Sequence, residues 1–410
     1  MSLVEPAGAG RGIRAFLAFA FAYFFSALLR AITATLAPVF SAELDLRGAD
    51  LGLLAGAYFL GFAALQLPLG RALDRYGPRR SLLVLLTVAV LGCGAFAVAP
   101  NLPALFAARV LIGAGVSACL MAPLTCYRRL FSPVTQMRAN SWMLMTGSLG
   151  MLASTLPVQW LLPSLGWRGL FWLLAALVLL AMAGIAALVP RDPPATASES
   201  FAGGSYAQIV SHPMFRRMAP LSCVLYGGMI AVQSLWAGPW LTRVCGWTPG
   251  EAAQGLFGIN LCMLLAFLAW GFVMPRLAQR GIDADRLLAW GVPLPLLVLG
   301  LILALGQQAG GGFWALWCVT CTCVSVSQPA VGAAFPAGLA GRALSAFNLV
   351  IFLGIFCVQW GIGLVLDTLR AAGADEATAF RAAFALFGLC ALAAYAWFLR
   401  GAAQGADNRR

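Results

Sequence analysis

The chain predicts an all-α membrane protein, twelve transmembrane helices in two six-helix bundles, and three observations carry that prediction. Of the 410 residues, 61% are hydrophobic and only 10% are charged, where soluble domains carry about 25% charged residues. The apolar residues fall in about twelve runs of the roughly 20 residues that a helix needs to cross a bilayer. These runs are continuous rather than alternating, which argues against barrel strands. Finally, all 26 basic residues are Arg, and nineteen of them fall on the side of the N-terminus. The opposite side has five, Arg47, Arg168, Arg243, Arg370 and Arg381, while Arg30 and Arg109 lie within spans. This positive-inside bias predicts a multi-pass protein of the cell (inner) membrane with both termini cytoplasmic.

The predicted spans of the first half are 14–40, 49–70, 80–99, 103–126, 137–162 and 167–189. Arg14 opens a full-length span, so no cleavable signal peptide is read there. Pro190 to Ser205 is rich in Pro, Gly and Ser and reads as a linker. Tyr206 to Arg217 reads as a short interfacial lead-in, and it holds the only His, His212, outside the membrane. The second-half spans are 217–242, 249–276, 286–306, 313–337, 342–366 and 379–399. Thr248-Pro-Gly-Glu251 is a capping box that opens the eighth. The organisation is thus a first bundle (1–189), a cytoplasmic linker (190–216) and a second bundle (217–410).

The halves echo each other. Tyr23 and Arg30 in span one match Tyr226 and Gln233 in span seven, each pair seven apart. Arg138-Ala-Asn-Ser with Gly150 matches Arg342-Ala-Leu-Ser with Gly354. Such repeats predict a duplicated six-helix unit with a site between the copies.

Composition also excludes several classes. The net charge of +12 follows topology and does not suggest nucleic acid. The eleven Cys lie almost entirely within spans, which argues against a disulfide framework. Cys318, Cys321 and Cys323 read as helix-interface packing rather than a metal site. No Gly-Lys-Ser/Thr phosphate loop is present, and no His or Ser constellation supports catalysis. Neither an enzyme nor a cofactor is expected.

Arg30 is the most informative single residue. It sits near the middle of span one with no acidic neighbour between Arg14 and Pro38. A cation at the bilayer centre costs about 2.5–3.5 kcal/mol, which a bundle interior, a watery cavity or an anionic ligand must offset. Tyr23, Ser26, Arg30 and Thr33 share one helix face. Comparable stripes are Tyr226, Gln233, Trp236 and Trp240 in span seven, Ser325 and Gln328 in span ten, and Ser345, Asn348, Phe352 and Gln359 in span eleven. Lipid penalises polar groups, so these stripes face the interior. One cation, neutral hydrogen-bonders and aromatic walls suit a small organic anion, with the guanidinium gripping carboxylate or phosphate. The competing readings are a structural Arg30 bonded to backbone carbonyls, and helix–helix hydrogen bonds for Tyr226, Gln233, Asn348 and Gln359. None of the fourteen carboxylates lies deep in a span, so no proton relay is evident.

Gly70-xxx-Asp74-Arg75-x-Gly77-x-Arg79-Arg80 between spans two and three resembles the loop signature of the major facilitator superfamily. Arg109-xxx-Gly113-Ala-Gly115 and Gly166-Trp-Arg168 resemble further motifs of that family. Pro78 and Pro275 depart from the pattern, and Gly147-Ser-Leu-Gly150 stands where drug–proton antiporters carry a Gly-Pro-rich motif. The resemblance implies a secondary transporter working by alternating access, monomeric or weakly associating. The anion is expected to be taken up, with coupling through a proton on the substrate, a tyrosine or exchange for a counter-anion, and facilitated diffusion as the uncoupled alternative. It also implies gating roles for Gly70, Asp74, Arg75, Gly77 and Arg79, with Asp74 as a latch. Arg109 reads as structural or gating. The alternatives are efflux of amphipathic compounds, and a non-transporting receptor or assembly factor on the same scaffold.

Overall fold

The computed structural model describes residues 9–131, 133–191 and 206–407, and its regular elements are all helical among those residues. In chain order, apart from the short helix Tyr206–Ser211, they are α1 (Gly10–Leu44), α2 (Gly48–Ala64, then Gln66–Leu73 after a 42° bend), α3 (Pro78–Val98) and α4 (Leu102–Tyr127). There follow α5 (Pro133–Ala153), α6 (Leu156–Leu188), α7 (Pro213–Val244) and α8 (Pro249–Met274). The last four are α9 (Ala284–Gln308), α10 (Gly311–Ala333), α11 (Leu339–Ala371) and α12 (Glu376–Arg400). Ten are long and apolar enough to cross a membrane, and eleven with the bent α2 taken as one span.

The expected boundary between the fifth and sixth spans, 137–162 and 167–189, is present at Gly166, and the fifth carries a further break. The chain breaks at Ser154–Thr155, whose hydroxyls donate to Met151 O (2.7 Å) and Leu152 O (2.6 Å). It resumes as a helix from Leu156, is interrupted at Gly166, whose non-helical φ of 62° is open to glycine and strained for other residues, and continues as a second helix to Leu188, so α6 is a broken element. In α5 only Trp142–Ala153 is apolar.

Proline explains most of the irregularities. A helical proline has no N–H and its ring crowds the carbonyl four residues earlier. Pro157 therefore interrupts the chain after Ala153 and restarts it, as a proline can in a first helical turn. Pro68 follows the bend of α2 at Leu65, Pro123 follows the turn Ser117–Leu120 in α4, and Pro329 follows the 3₁₀ stretch Thr322–Val326 in α10. Pro239 follows a π-helical stretch, Val232–Trp236, one of three in α7. Pro38 lies inside α1, which continues through it.

The chain forms two compact units, Met1–Ile32 with Leu60–Phe201, and Thr33–Phe59 with Ala202–Arg410. In the first, Phe96 of α3 stacks on Phe171 of α6 at 4.0 Å and meets Trp167 edge-on. In the second, Trp240, Trp314, Trp317, Phe380 and Phe384 form an aromatic core. Residues 33–59 join the second unit by close backbone packing. A Cβ added at Gly52 would stand 2.2 Å from Gln359 O, and one at Gly238 2.8 Å from Ala34 O. The Asp367 carboxylate accepts from Gly48 N (3.0 Å) and Ala49 N (2.8 Å), capping the free amides that open α2. Arg243 donates to Ser41 Oγ (2.7 Å) and pairs with Glu376 (3.3 Å).

Candidate functional site

In the first unit, Arg30 is half-buried on α1, with Tyr23 and Ser26 buried on the turns before it. The Tyr23 ring packs against Gly147 of α5, where a Cβ would meet it at 2.5 Å. Cys119, in the irregular turn of α4, touches Ser26 and lies beside Arg30. The proline-loosened stretch of α4 thus sits at the one cation near the middle of α1. Thr33, on the same stripe, is buried in the second unit.

Arg109 is fully buried, donates to Leu29 O at 2.9 Å and lies 5.9 Å from the Phe96 ring centre. It ties α4 to α1 one residue before Arg30. Gly77 closes the helix before α3 with φ 83°, its N–H bonded to Leu73 O, and Pro78 starts α3. Arg79 donates to Ala186 O of α6, while Arg75 is exposed over Tyr76 and Gly70 is exposed. The side chain of Asp74 lies outside the described residues.

In the second unit the polar interior is built of amides. Gln233 donates to Asn260 Oδ1 of α8 (2.9 Å), and Asn260 donates to Leu256 O (2.9 Å). Gln359 of α11 donates to Ser234 Oγ (2.9 Å), and Ser234 donates to Ile230 O (2.6 Å). Trp236 is fully buried and donates to Gln359 O (3.1 Å), so it braces α7 against α11. Gln328 of α10 bonds Asn348 of α11, and Tyr226 is half-buried in the first π-helical stretch of α7. Asn260 was missed by the stripe reading, although a lone Asn in the apolar run Gly258-Ile-Asn-Leu-Cys is itself a signal.

The description of the Major Facilitator Superfamily matches residues 19–358. The chain belongs to this superfamily. An uncharacterized MFS-type transporter of Mycobacterium tuberculosis is 29% identical over 174 residues, which cover 42% of this chain and 30% of that relative. Among solved structures, a bacterial homolog of the human lysosomal transporter Spinster, inward-facing and unoccupied, superposes with a TM-score of 0.77. It is 16% identical, with 96% of this chain and 98% of that one covered. The POT family transporter PepTSo gives 0.76 at 16% identity, covering 97% and 99%. At such identities these structures show the two-domain MFS fold alone.

Proposed function

We propose that the protein is a secondary transporter that takes up a small organic anion, carboxylate- or phosphate-bearing, by alternating access, with Arg30 as its charge anchor. Arg30 carries this reading, as a half-buried cation near the middle of α1, beside Ser26, Cys119 and the loosened turn of α4. A guanidinium in such surroundings is matched by an anion more readily than by lipid. In this reading residues 1–189 and 217–410 are the transporting bundles and 190–216 is a cytoplasmic linker. Both termini are cytoplasmic in the inner membrane, by the arginine bias. Tyr23, Thr33, Tyr226, Gln233, Trp236, Gln328, Asn348 and Gln359 line or support the path. The Gly70–Arg80 loop and Arg109 set the balance between conformers. A proton or counter-anion is the coupling partner, and the monomer is the working form.

The test is thermal unfolding of purified protein against small carboxylates, organic phosphates, inorganic anions and cationic drugs, with Arg30→Gln alongside. Organic anions are expected to raise the midpoint of wild type by mass action and to leave the variant unmoved. A response to cationic drugs alone, equal in both proteins, would instead favour efflux.

A further inference from the structure

The amide pairs of the second unit have a polarity that the backbone fixes. Asn260 directs Nδ2 to Leu256 O, an acceptor only, so its NH2 end is held there and its Oδ1 faces Gln233. Gln233 must then present Nε2 to Asn260, as observed at 2.9 Å. The second pair follows the same rule. Ser234 gives its single hydroxyl proton to Ile230 O, so its oxygen can only accept, and Gln359 supplies Nε2 at 2.9 Å. Turning either glutamine amide over would set oxygen against oxygen.

Both glutamines are therefore left with a carbonyl oxygen pointing out of the relay. Gln359 Oε1 is fully buried and has no hydrogen-bond partner among the described residues. Gln233 is 5% exposed, and its Nε2 is committed to Asn260. A buried carbonyl without a donor is retained against its desolvation cost, and Gln359 of α11 presents one, with the Gln233 carbonyl of α7 left over from the same kind of pairing.

We propose that Gln233 and Gln359 are specificity-determining acceptors that read a hydrogen-bond donor, a hydroxyl or an ammonium, on the ligand, while Asn260 and Ser234 are positioning residues that hold them in that sense. This rests on the organic-anion reading and sharpens it: the anion carries a hydroxyl or amino group rather than a bare alkyl chain.

The experiment uses the full-length protein and matched probes, lactate against propionate and glycerol 3-phosphate against propyl phosphate, with myo-inositol as a donor-rich neutral probe. Affinities come from the concentration dependence of thermal unfolding. Wild type is expected to prefer the donor-bearing member of each pair by about tenfold or more, the scale of one hydrogen bond. Gln359→Met and Asn260→Leu should abolish or reduce that preference without weakening the alkyl member, a split that a structural role would not give. Ligand-free Gln359→Met should melt at or above the wild-type midpoint.

Equal affinity for both members in wild type overturns the inference and leaves the anion reading intact. A lowered ligand-free midpoint in Gln359→Met with the preference unchanged overturns it as well. If no anion binds but myo-inositol does, and Gln359→Met loses that response, the anion reading falls and the acceptor assignment stands. If neither anions nor myo-inositol bind, both fall.

Discussion

The interiors of the two units differ in the kind of polarity they bury. The first holds arginines, Arg30 half-buried and Arg109 sealed, with tyrosine, serine and thiol groups around them. The second holds neutral amides, Gln233, Asn260, Gln359, Gln328 and Asn348, bonded to one another or to hydroxyls and main-chain carbonyls. Its charges sit at helix ends, as with Asp367 at the start of α2 and Arg243 with Glu376. Yet the units keep traces of one plan. The turn before Pro123 in α4 has a counterpart in the 3₁₀ stretch before Pro329 in α10. Backbone irregularity is thus shared between the copies while the chemistry has diverged. That is the expectation if one half recognises charge and the other recognises neutral donors.

The comparison is broken most directly at Arg30. Charge-assisted hydrogen bonds are worth about 1.5–3 kcal/mol, so Arg30→Gln is expected to weaken anion binding about 10- to 150-fold. Isothermal titration in detergent measures this, and a loss below twofold would end the division of labour. Gly52→Leu comes next, because its added Cβ would meet backbone, 2.2 Å from Gln359 O, which cannot step aside like a flexible side chain. Overpacking there is expected to cost about 1–3 kcal/mol, read as a lower unfolding midpoint or as greater thiol labelling of a cysteine introduced at Ala49.

A smaller effect is expected where the second unit keeps its charge at a helix end. Asp367→Ala removes the acceptor for Gly48 N and Ala49 N and should cost about 1 kcal/mol, the usual value of such a cap. Asp367→Asn should recover most of that in thermal unfolding. The smallest is at Asp375, before α12, whose carboxyl is held below its ordinary value by the Thr378 side chain and then by the Thr378 backbone N–H. A depressed carboxylate stabilises the fold above its unfolded pKa of about 3.9, and the contribution fades as pH falls through the lower folded value. The Asp375→Asn variant should therefore lose less stability than wild type when unfolding is followed from pH 5 down to pH 3.

How far the site was legible follows from the range of each interaction. The Tyr23–Ser26–Arg30 stripe could be read because side chains three, four and seven apart share a face whatever the helix later touches. Gln233 and Gln359 could be picked out as polar residues in apolar runs, but their partners are 27 and 125 residues away. No local pattern marks such a pairing. Trp236 looked like a wall of the path by spacing, and the structure finds its indole spent on Gln359 O.

Hydropathy determined the class, most of the helices and the arginine asymmetry, because transfer from water to hydrocarbon acts on each residue separately and sums along a span. Proline positions marked, in retrospect, where helices would loosen, again through a local steric cause. Tertiary structure alone decided that residues 33–59 would pack into the second unit. It alone also fixed which end of each amide would face outward. These outcomes depend on which backbone or carbonyl stands opposite, and that is set by the packing of segments distant in the chain.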